Sequence, residues 1–144
     1  MIEKLEFYHG AAIIRLIEDC RCKSVRKSEY GYLVNEDRSI LVKYTTKAQS
    51  PWRFTITQDD IERFDRASQQ SNVCILVLVC GGDGVCASTW AAARELLSGS
   101  AGWLSAKRSH KGCYAFSGPA GTLKKKVALN QWPGIVFGQQ EEDE

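Results

Sequence analysis

Three clusters of basic side chains carry the clearest chemical signal in this sequence. Arg21, Lys23, Arg26 and Lys27 form the first, Lys107, Arg108 and Lys111 flank His110 in the second, and Lys124-Lys125-Lys126 is the third. Closely spaced guanidinium and ammonium groups suit a phosphate backbone or another anionic partner, and equally a solvated surface that keeps a chain soluble. The formal net charge of the 144 residues is only +2, but four of the 17 acidic residues stand in Glu141-Glu142-Asp143-Glu144. Residues 1–140 therefore carry 19 basic groups against 13 acidic ones. The part expected to fold is basic, and residues 139–144 are expected to be a disordered acidic tail.

Nucleophilic and metal chemistry have less to stand on. There are six cysteines and two histidines. Cys74 and Cys80 lie on or at the end of an apolar run, Cys86 and Cys113 in short strand-like stretches, and Cys20 and Cys22 at the end of an expected helix. Most of these are places for small buried hydrophobes. Neither Cys20-x-Cys22 nor Cys80-x5-Cys86 has the paired two-residue spacing of a zinc ribbon. No spacing brings His9 or His110 to a thiol, as a Cys/His nucleophile requires. Gly81-Gly82-Asp83-Gly84 lacks the Lys-Ser/Thr ending of a P-loop and opens toward another strand, so a tight turn is expected there. Tyr44, Trp52, Tyr114 and Trp132 stand beside basic or Gly-rich stretches, and such rings stack on exposed bases where they reach a surface and pack in the core where they do not.

Elements must position these groups, and the composition, 44% hydrophobic and 25% charged, is that of a globular chain. Leu5, Tyr8, Ala12, Ile13, Leu16 and Ile17 recur at helical spacing and predict a helix over residues 3–19, locally weakened by Gly10. After a basic connection, residues 30–34 and 40–45 flank the turn-forming Asn35-Glu36-Asp37-Arg38 and predict a hairpin. A strand over 52–57 starts just beyond Pro51, with Trp52, Phe54 and Ile56 alternating onto one face, as the third strand of a meander. Thr57 with Asp59 and Asp60 caps a second helix that runs to about residue 70. Residues 73–80 are continuously apolar, which predicts a strand covered on both faces at the centre of the sheet. A turn and a strand over 85–89 precede a short helix over 90–97, and residues 102–109, 113–117 and 127–137 are expected as strands or extended segments. Residues 1–138 thus read as one mixed α/β (α+β) domain: helix, three-strand antiparallel meander, helix, buried central strand, and a β-rich C-terminal extension.

Within the meander stands Leu41-Val42-Lys43-Tyr44-Thr45-Thr46-Lys47. With the element order over about residues 3–80, this run resembles the PD-(D/E)xK nuclease-like fold, whose members include restriction endonucleases and Holliday-junction resolvases. In that family a strand carries an acid or Gln, one spacer and a Lys followed by small polar residues, and Lys43 with its surroundings matches. The resemblance implies phosphodiester hydrolysis in which two carboxylates hold a Mg²⁺ and Lys43 positions or activates the attacking water. Here the position before the spacer is Leu41, and the preceding strand offers only Glu29 and Glu36 at its edges, with Glu18 and Asp37 as further carboxylates nearby. The metal site is therefore expected to be degenerate or displaced. Without the resemblance, Lys43 reads as a lysine guarding a sheet edge.

The leading expectation is a nuclease-like domain that no longer hydrolyses but binds nucleic acid, within a DNA- or RNA-handling or defence system. Lys43, Lys47 and Arg53 would surround the old active-site face, and Lys107, Arg108, Lys111, Lys124, Lys125 and Lys126 would add backbone contacts. No cofactor is expected in that case. The alternatives are an active Mg²⁺-dependent nuclease using Lys43 with Glu29, Glu36 or Asp37, and a protein-binding module that offers a sheet edge or aromatic patch. No stretch approaches the roughly 20 apolar residues that span a bilayer, and the first residues lack a signal peptide's apolar run, so a cytoplasmic protein without a membrane partner is expected.

Overall fold

A computed structural model describes residues 1–109 and 112–138. Its elements follow in the order α1 (Lys4–Ile17), β1 (Val25–Lys27), β2 (Tyr32–Val34), β3 (Arg38–Thr45), β4 (Trp52–Ile56), α2 (Gln58–Gln70), β5 (Val73–Cys80), β6 (Gly84–Thr89), α3 (Trp90–Leu96), β7 (Gly102–Lys107), β8 (Ala115–Gly118) and β9 (Gly121–Thr122). Two 3₁₀ turns follow, at Leu129–Gln131 and Gly134–Phe137. The fold is mixed α/β, with one sheet in the order β1-β2-β3-β5-β6 and a second in the order β4-β7-β8-β9.

The continuous apolar run of β5 has the expected cause. Ile75, Val77 and Val79 belong to a core with Ala12 and Leu16 of α1, while Leu76, Leu78 and Cys80 belong to another with Phe64 of α2, Trp90 of α3 and the inner face of the second sheet. Alternate side chains point to opposite faces, so a strand buried on both has no polar position to spare. β5 runs parallel to β3 and antiparallel to β6. A parallel pair needs a long crossover, and β4 with α2 supplies it.

The meander has different members from those expected. β1, β2 and β3 pair antiparallel in sequence, whereas β4 leaves for the second sheet and pairs with β7, Trp52 opposite Ala106 and Ile56 opposite Gly102. The alternation of Trp52, Phe54 and Ile56 requires that one face be covered, and Leu104, Ala106 and Phe116 share in covering it. The segment 25–27, read as a basic connection, is a strand whose Arg26 and Lys27 are exposed. A second correction concerns residues 127–137, expected as extended chain. Val127 makes one bridge to Tyr114, and the 3₁₀ turns that follow bury Ile135 and Val136, with Trp132 buried between them, on the α1 side of the first sheet. Trp132 Nε1 donates to the Ala12 carbonyl at 3.1 Å and so ties α1 down.

Local chemistry sets the helix starts. Thr57 Oγ1 accepts from the Asp60 N–H at 3.0 Å, and the Asp60 carboxylate accepts from the Thr57 N–H at 3.0 Å, a reciprocal capping box. Glu3 and Glu6 make the same arrangement at α1. Among the described residues no helix is long and apolar enough to cross a membrane. The expected acidic tail, 139–144, lies outside the described residues.

Candidate functional site

β2 begins at Tyr32, opposite Ile40, while β3 continues to Thr45. Beyond Ile40 the flank of β3 that faces β2 has no strand beside it, and a cleft of about 410 Å³ opens there between the first half of α1, the start of α2 and the meander. Lys43 lies on its wall, joined by Lys27 from β1 and Arg63 from α2. One carboxylate, Asp60, is present among the lining residues against these three cations. Lys43 is thus an edge lysine on one flank, yet its other flank is paired with β5, opposite Leu78.

Lys43 Nζ donates to Asp60 Oδ2 at 2.8 Å, with the two side chains 25% and 14% exposed. Burial pushes the Asp60 carboxyl up, but the bonds from Lys43 and from the Thr57 N–H outweigh it and hold its pKa below the ordinary value. Asp60 therefore stays ionised near neutral pH and carries two duties, as helix cap and as counter-ion. His9 Nδ1 and Tyr32 Oη share a hydrogen bond at 2.9 Å. Burial, and secondarily the Lys27 charge, lower the His9 pKa below 6.5, so the ring is neutral at pH 7. The Tyr8 ring stacks on Tyr44 with centroids 4.9 Å apart, and His9 meets the same ring edge-on at 6.0 Å. An anion entering the cleft meets cations, hydroxyls and aromatic surface together.

The donor set does not fit a Mg²⁺ centre. Leu41, where the family's acid would stand, is 1% exposed in the core. Glu36 pairs with Arg26 at 3.1 Å and Asp37 with Arg38 at 2.7 Å, both at the turn that precedes β3. From Arg38 to Lys43 is five strand residues, about 17 Å of rise, so neither carboxylate shares a metal with a group beside Lys43. Glu29 is exposed in the β1–β2 turn, outside the cleft lining, and Glu18 is exposed at the far end of α1. Among the described residues no three His, Cys, Asp or Glu side chains cluster as metal ligands.

The other basic residues fall into separate settings. Lys47 Nζ donates to the Pro51 carbonyl at 2.9 Å. Arg53 and Lys107 lie on the outer face of the second sheet, because their neighbours Trp52 and Ala106 are buried on the inner one. The Arg53 guanidinium sits 4.4 Å from the Trp103 ring centroid there. Arg108 is held internally: its Nε donates to Asp83 at 2.8 Å, and Tyr114 Oη donates to the same carboxylate at 2.7 Å. That clamp also closes the Gly81–Gly84 segment as the tight β5–β6 turn, with Gly81 at φ +55° where a Cβ would strike the Lys47 carbonyl. Lys124, Lys125 and Lys126 are exposed in the loop after β9, and Lys111 lies outside the described residues.

Three of the four candidate stacking rings are core instead: Trp52, Tyr114 and Trp132 are 3%, 0% and 3% exposed, and only Tyr44 reaches the cleft. All six thiols are free. Cys74, Cys80 and Cys86 are buried, whereas Cys20 and Cys113 are exposed, contrary to the expectation for most of the set. Burial pushes the Cys74 and Cys80 thiols up to about 12 and Cys86 well above its ordinary value, which leaves them protonated and unreactive. His9 pairs with Tyr32 and not with a thiol, and His110 lies outside the described residues.

Of the cleft's charged residues, Lys43 alone stood out as a site residue in the sequence, through the resemblance carried by Leu41 to Lys47. Lys27 lay within the first basic cluster, and Asp60 showed only as part of a cap. Arg63 and His9 come from helices distant in sequence and share no spacing with Lys43. No family model matches the chain, and neither a curated protein nor a solved structure matches it.

Proposed function

We propose that this chain binds nucleic acid at the Lys43 cleft without hydrolysing it, as a nuclease-like cytoplasmic component of a DNA- or RNA-handling or defence system. The observation that carries this reading is the convergence of Lys27, Lys43 and Arg63 on one concave surface whose single carboxylate, Asp60, is already committed to Lys43 and to a helix cap. A phosphate group replaces Asp60 as the partner of Lys43 and finds two further cations beside it. Tyr44, stacked on Tyr8, offers ring surface for a sugar or unstacked base. The order α1, β1-β2-β3, α2, β5 supports the nuclease-like reading, with β4 as an excursion into the second sheet. The carboxylates that the Mg²⁺ route needs are elsewhere, which favours binding over cleavage. Arg53 and Lys107 give the strand a second cationic face to cross.

The test is binding of the full chain to labelled single- and double-stranded DNA and RNA across a salt series, with Mg²⁺ present and product length read on the same samples. Salt-sensitive binding with intact product is expected, and Lys43→Ala with Arg63→Ala should reduce the log–log salt slope by about 1 to 2. An unchanged slope would move the contact away from the cleft. Cleavage lost on Lys43→Ala would restore the enzyme, and no binding at low salt would reject the reading.

A further inference from the structure

We infer, resting on the nucleic-acid reading of the cleft, that it takes one unstacked nucleotide from a single strand and does not take a duplex. Lys43 and Tyr44 are neighbours on β3, so their side chains leave opposite faces of the first sheet. Lys43 turns toward α2, where it meets Asp60, and Tyr44 toward α1, where it stacks on Tyr8. Both nevertheless line the same cleft, because among the described residues no strand pairs with the β3 edge between them and the cleft wraps around it. The two sides differ in chemistry. Arg63 joins Lys43 on the α2 side, whereas His9 joins Tyr44 on the α1 side, hydrogen-bonded there to Tyr32.

A nucleotide divides in the same way. Its phosphate is an anion and its base a flat ring with polar edges, so a phosphate held by Lys43 and Arg63 sends the base across the strand edge to the rings of the α1 side. Between the two, the main chain from Val42 to Tyr44 offers on that flank N–H and C=O groups that no neighbouring strand uses.

Size and depth exclude the duplex. The cleft's volume of about 410 Å³ stands at the small end of the roughly 300–1,000 Å³ of small-ligand sites, which is room for a nucleotide-sized group. Lys43 is recessed on the wall, with 25% of its side chain exposed. A duplex carries its phosphates on a convex rod with the bases stacked inside. It can meet the exposed Lys27 at the rim, but it brings a phosphate to Lys43 only if a nucleotide leaves the stack and gives up its pairing. A single strand has no pairing to lose.

The full chain is titrated at fixed salt, and across a salt series, with a labelled single strand of about ten nucleotides, its duplex, and an abasic strand of the same length. The single strand is expected to bind at least about tenfold more tightly than the duplex, and about tenfold more tightly than the abasic strand, which keeps the phosphates and lacks the bases. Tyr44→Leu should remove most of the second difference while leaving the salt slope unchanged. AMP alone should compete only weakly, since it brings no neighbouring phosphates. Equal affinity for the duplex, equal affinity for the abasic strand, or a preference for bases that survives Tyr44→Leu overturns the inference. If Lys43→Ala with Arg63→Ala still lowers the salt slope in those cases, the nucleic-acid reading stands without it. AMP binding more tightly than the single strand would overturn both, because the occupant would then be a free nucleotide.

Discussion

Lys43 and Asp60 meet at 2.8 Å across the wall of the cleft, the lysine from the middle strand of the first sheet and the aspartate from the first turn of α2. Asp60 therefore acts on any anionic ligand as an internal competitor. Asp60→Asn removes the competing charge while keeping an oxygen for the Thr57 N–H. Affinity for a short oligonucleotide at fixed salt should rise about three- to tenfold, and thermal stability should fall by about 1 kcal/mol for the lost pair and weakened cap. A fall in affinity would show that Asp60 holds Lys43 in place and does not compete.

His9 gives the cleft a pH dependence with two opposite signs. Its folded-state pKa lies below the unfolded 6.5, so the unfolded chain takes up the proton first, and the stability present above pH 6.5 is lost as pH falls through that value. A bound phosphate beside the ring reverses the preference and favours the imidazolium. From pH 8 to 5.5 the free protein should lose stability while its affinity for an oligonucleotide rises, and His9→Gln should flatten both curves. Melting curves and titrations over the same buffers check this, and an affinity independent of pH would place the phosphate away from His9.

Thiol titration reads the burial pattern. Cys20 and Cys113 should react with an aromatic disulfide reagent within seconds, Cys22 more slowly, and Cys74, Cys80 and Cys86 only on unfolding in denaturant. Rapid reaction of a fourth thiol in the native state would contradict the closed core between the sheets.

The phenol of Tyr114 is fully buried and donates to Asp83 at 2.7 Å. Tyr114→Phe keeps the ring and removes that bond, so urea unfolding should register a loss of about 1–2 kcal/mol with an unchanged m-value. A neutral result would mean that the β5–β6 turn is held by Arg108 alone.

Sequence legibility varied with how local each signal was. The two-faced burial of β5, the β2–β3 turn at Asn35 and the Thr57 cap were readable because each is written in consecutive residues. The sheet to which β4 belongs was not, since alternation tells that a face is covered and not which strand lies beside it; the partner, β7, comes some fifty residues later. β1 is three residues long with two exposed cations, too short for any period. Lys43 was visible through the run from Leu41 to Lys47, but its company was not. Lys27, Asp60, Arg63 and His9 come from three other elements, β1, α2 and α1, whose approach depends on where β2 and β3 cease to pair.

The tie between the Trp132 indole and the Ala12 carbonyl joins positions 120 residues apart. During synthesis α1 is made first, but Trp132, Ile135 and Val136, which form one side of its seat, are made among the last of the described residues. β3 and β5 offer their part of that seat much earlier, but the part around Trp132 closes only once that segment has been translated, and contacts of such separation are slow to form. Because α1 carries His9, that tie also steadies one wall of the cleft. A chain cut short before Trp132 would keep every lining residue of the cleft but lose the tie that holds α1 against the sheet.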